Sequence, residues 1–200
     1  MSIPVSDDQW IEGDPDTVWA TLGADAKHER ILRAAWRLFN AQGLETPMPM
    51  VAAAAGAGVG SLYRQFPSKH DLLAALVTRR LGQIEQVTEA AMRQPGTRWQ
   101  ALTDMLWTIV ERQRGDEILG EAWSLVAEQA DVAQATERTQ SAIDRLLDAA
   151  REEGFVRADV DTLDIRLVFT ATRAVGRVSP DAWKRMLELL IDGLAARPGV

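Results

Sequence analysis

No cysteine occurs among the 200 residues, which excludes thiolate catalysis, cysteine-ligated zinc, iron–sulfur clusters and a disulfide framework. Histidine is scarce. His28 and His70 are the only two, far apart in sequence, so a multi-histidine metal site is excluded and no metal or cofactor is expected. Long apolar runs are missing as well. The longest stretch without a charged or strongly polar residue, 48–60, is too short to span a bilayer and is rich in glycine and alanine. The opening MSIPVSDDQWIEGD carries acids where a secretory signal needs a basic start and an apolar stretch. These absences predict a cytoplasmic protein without a membrane partner. Alternating runs of Val, Ile, Thr and aromatics closed by hairpin turns, the mark of strands, are not found either.

What is present begins with charge. The net charge of −7 argues against a general nucleic-acid binder, but it averages over three unlike blocks. Residues 1–26 hold six acids and no Lys or Arg. Residues 27–80 hold eight basic residues against three acids, and 81–200 hold fourteen against twenty. One basic block between two acidic ones points to a localised anionic partner.

Apolar spacings of three and four recur through the chain and predict helix almost throughout. In the first helix, 27–42, Ile31, Ala35, Leu38 and Phe39 share a face, with Arg30, Arg33 and Arg37 opposite, and Gly43 is its stop. Short helices follow at 47–55, ended by Gly56, and 59–65, ended by Phe66-Pro67. Ser68-Lys69-His70-Asp71 reads as a capping box for a helix running to Pro95-Gly96. Later helices are expected at 98–113, 116–130, 131–153, 162–178 and 180–196, the last started by Ser179-Pro180-Asp181. Asp14-Pro15-Asp16 suggests an extra short helix containing Val18, Trp19 and Leu22.

Short helices with glycine turns, followed by a long capped helix and all inside the basic block, suggest a helix-turn-helix. The second helix of such a pair enters the major groove and the first crosses the backbone. Here the pair is 47–55 and 59–65, joined through Gly56-Ala57-Gly58.

The stretch 28–76, HERILRAAWRLFNAQGLETPMPMVAAAAGAGVGSLYRQFPSKHDLLAAL, resembles the DNA-binding domain of the tetracycline-repressor (TetR) family. GSLYRQFPSK at 60–69 is its most specific part. The resemblance covers about a quarter of the chain; the rest is similar only in helix count and in its ending. It implies an all-α fold with an N-terminal three-helix helix-turn-helix domain and a larger helical ligand-binding and dimerisation domain. The boundaries would be an acidic arm at 1–26, the DNA-binding domain at 27–80 and the second domain at 81–200. It further implies a homodimeric repressor, bound to a double-stranded DNA operator and released by a small-molecule effector.

Carried over residue by residue, Tyr63 looks like the family tyrosine that reaches a phosphate, with a packed aromatic as the alternative. Lys69 looks like its phosphate-binding lysine, at a helix start that itself favours anions; a solvated lysine is the alternative. Val59, Gly60 and Ser61 open the reading helix. Arg64 is the one side chain there suited to a bidentate guanine contact, with a phosphate contact or a solvated arginine as the alternative. His70 stands where relatives often carry an acid, so it is either a pH-sensitive phosphate contact or an ordinary exposed histidine. Ala53 and Ala54 stand where relatives often carry polar residues, and Pro49 and Met50 where acids are common, so the crossing helix offers few phosphate contacts.

In the second domain Trp99, Met105, Trp107, Trp123 and Phe169 are candidates for an apolar or aromatic effector pocket, though such spacing also describes a core. Arg173 and Arg177, one turn apart, are either a carboxylate clamp or surface charges. On the last helix Trp183, Met186, Leu187, Leu189, Leu190, Ile191 and Leu194 span roughly 200° of arc, about twice a core stripe. Trp183, Met186, Leu187, Leu190 and Leu194 therefore become dimer-interface candidates, a deeper single-chain core being the alternative. For the acidic arm two readings stand: a tail whose Trp10 and Trp19 dock on the helical body, or a decoy competing with phosphate for the basic block. Catalysis is not expected, because the GxxxxGK[ST], GxGxxG and GxSxG patterns are all absent. The remaining rival is an interaction module that uses this fold without binding DNA.

Overall fold

The computed structural model describes residues 18–112, 118–176, 179 and 181–196. Within them lie a 3-10 turn, Trp19–Thr21, and the helices α1 (Ala24–Gln42), α2 (Met48–Ala54), α3 (Val59–Gln65), α4 (Lys69–Arg93), α5 (Arg98–Arg112), α6 (Leu119–Val126), α7 (Ala130–Glu152), α8 (Thr162–Gly176) and α9 (Ala182–Leu194). The all-α fold read from the sequence is what the chain adopts. Among the described residues the sole β feature is one isolated bridge between Val156 and Ala195, and no helix is long and apolar enough to cross a membrane. The Asp14-Pro15-Asp16 motif, Trp10, Arg177 and Pro180 lie outside the described residues.

The described chain divides into two units, one of 18–80 and 118–135, the other of 81–112 and 136–196. The segment 118–135, expected with the second domain, thus groups with the first.

In the first unit, local signals account for most boundaries. α1 starts at Ala24, three residues earlier than expected, and stops at Gly43, whose φ of 84° and N–H bond to the Phe39 carbonyl (2.8 Å) end it. α2 closes in a Schellman turn: Gly56, at φ 69°, donates to the Ala53 carbonyl (3.0 Å), and Ala57 donates to that of Ala52 (2.9 Å). A side chain at Gly56 would be strained in that conformation. α3 ends at Phe66, which is extended (φ −132°, ψ 90°) ahead of Pro67. Then comes the capping box: the Ser68 amide donates to the Asp71 carboxylate (2.8 Å) and the Asp71 amide to the Ser68 hydroxyl (3.2 Å). The core side chains include Ile31, Leu32, Ala35 and Phe39 from α1, Val51 and Ala52 from α2, Leu62 from α3 and Leu72, Leu73, Leu76 and Val77 from α4.

The second unit has its own core, drawn from α4, α5, α7, α8 and α9. Trp107 and Trp183 meet edge to face there, their centroids 5.9 Å apart, a geometry worth about 0.5–1.5 kcal/mol beyond the area buried. The loop after α7 is tied to the end of α9 by the Arg157 amide on the Leu194 carbonyl (3.1 Å) and the Ala196 amide on that of Phe155 (2.7 Å). One expectation fails. α9 begins at Ala182 rather than at Pro180, and the Asp181 side chain does not cap it but pairs with Lys184 at 3.6 Å.

Replacing the cap tests the local account of α4. Ser68→Ala should lower stability by about 1 kcal/mol in urea unfolding, with helix content of the folded protein unchanged.

Candidate nucleic-acid interface

α3 has seven residues, too few to be stable alone, so its orientation is set by what it packs on. α2 packs against both α1 and α3, and Leu62, fully buried, is the α3 side chain in the core. The remaining positions are thereby turned outward. Val59 and Tyr63 are each 43% exposed, Gly60 and Arg64 are exposed, and Ser61 is half-buried. The Arg64 guanidinium donates to the Ser61 hydroxyl at 2.9 Å, which lays it along the helix instead of leaving it to swing. The exposed residues of α2 are Pro49, Met50, Ala53 and Ala54, a face without charge.

Lys69, the first residue of α4, is half-buried, with its ammonium 5.8 Å from the Phe39 ring centre. His70 beside it is exposed.

The eight basic residues of the 27–80 block divide by environment, which sequence alone does not show. Arg79 pairs with Glu29 across α4 and α1 at 2.5 Å, the two side chains 19% and 29% exposed. Arg33, on the α1 face opposite the apolar stripe, is half-buried. Burial, and then repulsion from Arg37, holds its pKa below the ordinary arginine value. Arg30, also half-buried, lies against the α2–α3 turn, where its guanidinium would be 3.6 Å from a Cβ at Gly56. Lys27, Arg37, Arg64 and Lys69 differ: among the described residues no carboxylate lies within salt-bridge distance of them.

Beside α3 runs an open groove walled by Trp19, Ala24, Asp25, Lys27 and His28 on one side and by Ser61, Arg64 and Gln65 on the other. The Lys27 ammonium sits 5.9 Å from the Trp19 ring centre, and the His28 ring is 4.8 Å from that of Phe66. Trp19, Lys27, His28 and Gln65 were not among the sequence candidates. No local signal could have found them, because the groove joins residues from two elements distant in sequence.

Four of the five effector candidates fall in or against one core cluster, that of the second unit. Met105 is fully buried and Phe169 is 7% exposed within the second unit's core, where they pack against neighbours. Trp99 and Trp107 are half-buried at the edge of that core. Trp123 belongs to the other unit. The interface candidates on α9 also divide. Trp183, Leu187 and Leu194 face their own core and are withdrawn as interface residues, because the wide apolar arc serves the fold first. Met186 and Leu190 are half-buried, and Leu189 is 50% exposed.

A short reading helix carried by a glycine turn, with uncompensated cations on its side of the head, defines a helix-turn-helix module; a separate helical core follows it in the chain. Comparison agrees. Residues 31–76 match the model for bacterial regulatory proteins of the tetR family, and residues 94–196 match that of the SbtR-like transcriptional regulator C-terminal domain. The chain is 32% identical over 174 residues to the HTH-type transcriptional repressor KstR of Rhodococcus jostii, covering 82% of this chain and 76% of that protein. It is 34% identical over 120 residues to KstR of Mycolicibacterium smegmatis, covering 58% of this chain and 59% of that one. A solved TetR transcription regulatory protein from Mycobacterium vanbaalenii aligns with a TM-score of 0.61 and 27% identity, over 85% of this chain and 95% of that one. The chain belongs to the TetR family of transcriptional regulators.

The division of the cations is open to test by stability. Arg79→Ala, which strands Glu29, should cost about 1–2 kcal/mol in urea unfolding, whereas Arg64→Ala should stay within about 0.5 kcal/mol of the parent.

Proposed function

We propose that the protein is a repressor that binds a roughly palindromic operator as a homodimer and is released by a small apolar or aromatic molecule. The observation that carries this reading is the outward face of α3, Val59, Gly60, Tyr63 and Arg64, flanked by the uncompensated Lys27 and Lys69. Arg64, held by Ser61, is the base reader, and Tyr63, Lys69 and the exposed His70 contact phosphates. Ser61, Val59 and Gly60 permit close approach of the backbone. The relatives named repressors support the direction of control.

For the homodimer, support comes from α8 and α9, which pack on each other and leave Leu163 (56%), Leu167 (55%) and Leu189 (50%) exposed. Leu163 and Leu167 are one turn apart on α8, so they form a stripe. A second chain covering this stripe would hold two reading heads for successive major grooves. The effector, in this reading, enters the second unit beside Trp99 and Trp107 and binds the released conformation better than the DNA-bound one, which the shift requires.

Fluorescence anisotropy on duplexes tiled from upstream of its own gene tests the DNA reading. One tile should exceed a scrambled duplex by a wide margin, and with about six phosphate contacts per dimer its affinity should fall about a thousandfold between 50 and 200 mM salt. Lys69→Ala should weaken all duplexes alike, whereas Arg64→Ala should cost about 1–3 kcal/mol of discrimination against the scrambled one. A folded dimer that binds no duplex at 50 mM would replace this reading with the interaction module.

The dimer face has a separate test. Leu163→Glu combined with Leu167→Glu should reduce the mass in sedimentation equilibrium to that of one chain while helix content is kept. An unchanged oligomer would place the interface elsewhere.

A further inference from the structure

We infer that Val59 is a thymine reader: its side chain packs on the C5-methyl of a thymine in each operator half-site, brought within reach by the bare backbone of Gly58 and Gly60. This rests on the DNA-binding reading above and gives that reading a base preference.

Two glycines of this segment are not required by the fold. Gly56 is different, since its φ of 69° strains any other residue. Gly58 has φ −69° and ψ 143°, a conformation open to every residue type. Gly60 lies inside α3 and is not among the glycines with positive φ. A Cβ added at either position would meet nothing within 4 Å. Neither torsion nor internal packing therefore asks for glycine, and at position 60 it weakens the helix. What the missing side chains supply is clearance for a surface that approaches from outside.

Between them stands Val59, the first residue of α3 and 43% exposed. With a glycine on each side, it is the one side chain on 58–60 and projects alone. Valine has no donor, acceptor or charge in its side chain, so burial against another apolar group is the gain open to it. Base-pair edges in the major groove offer one such group, the methyl of thymine. The first residues of a reading helix are the ones that meet those edges.

The surroundings suit this docking. Arg64 and Lys69 have no carboxylate within salt-bridge distance among the described residues, so anionic DNA meets positive charge on either side of the contact. Along the helix the chemistry also divides. Tyr63, one turn on, carries a hydroxyl, and the Arg64 guanidinium is a donor only. The apolar edge is thereby left to Val59, and a guanine to Arg64.

The test uses the full chain and a pool of duplexes with about twenty random base pairs, enough for two half-sites one helical turn apart. The duplex that the parent enriches is resynthesised with deoxyuridine for one thymine at a time, symmetrically in both half-sites. That change removes the methyl and nothing else. At one position affinity should fall roughly tenfold, since each buried methyl is worth about fourfold. Val59→Ser, which lacks both valine methyls, should bind the thymine and uracil duplexes within about twofold of each other. Val59→Thr, which keeps one methyl, should lie between. Gly60→Ala should be no less stable than the parent in urea, because nothing in the chain meets the added carbon, yet should bind the selected duplex roughly tenfold more weakly.

A uracil effect that persists in Val59→Ser assigns the methyl to another residue and overturns the inference. A selected duplex on which no uracil replacement matters overturns it too, placing Val59 against sugar or backbone. In both cases the DNA reading stands. Gly60→Ala binding as tightly as the parent overturns the close approach. If the pool yields no enriched duplex, the DNA reading fails and this inference fails with it.

Discussion

The reading helix is held by very little. α3 is seven residues long, is fully buried only through Leu62, and could not persist as an isolated helix, because nucleation is costly and few hydrogen bonds repay it. Everything about the DNA-facing surface depends on that one anchor and on the turn before it. Gly56 lets α2 end in a Schellman turn, α2 in turn packs on α1 and α3, and Leu62 enters the core shared with α1, α2 and α4. Once Leu62 points inward, helical geometry leaves Val59, Gly60, Tyr63 and Arg64 facing out. The exposed face is thus a consequence of packing on the opposite side.

Around this helix, charge is divided between architecture and recognition. Arg79 with Glu29 joins α1 to α4, and Arg33 sits where burial disfavours its charge, so these cations stabilise or strain the head itself. Lys27, Arg64 and Lys69 have no such duty. The division shows how an acidic chain can keep cations without carboxylate partners in this unit, where Coulomb attraction to an anion is least screened at short range. The exposed face of α2 carries no charge of its own.

Most of the first unit was legible in the sequence, because its boundaries are written in local chemistry. The bounds of α3 were read to the residue from glycine before it and Phe66-Pro67 after it. The Ser68–Asp71 capping box and the Gly43 stop also stand as read. Misses came where a signal was ambiguous or non-local. The start of α1 slipped by a turn because Gly23 caps without a side chain, and α9 is bounded at Ala182, just inside the start read from Ser179-Pro180-Asp181. Aromatic and methionine positions on α5, α6 and α8 could not be divided into pocket and core, since helical spacing describes both.

What the sequence determined by itself is the helical class, the helix-turn-helix and the family, because caps, glycine turns, apolar periodicity and a continuous motif all act within a few residues of one another. Only the tertiary structure decided which cations are spent inside the fold and which remain for a partner. It alone showed that half of the α9 arc is core, that 118–135 groups with the first unit, and that Trp19 and Lys27 wall a groove with Arg64. Those facts join residues dozens of positions apart, and a side chain's burial and its ion pairs depend on neighbours that only the folded chain assembles.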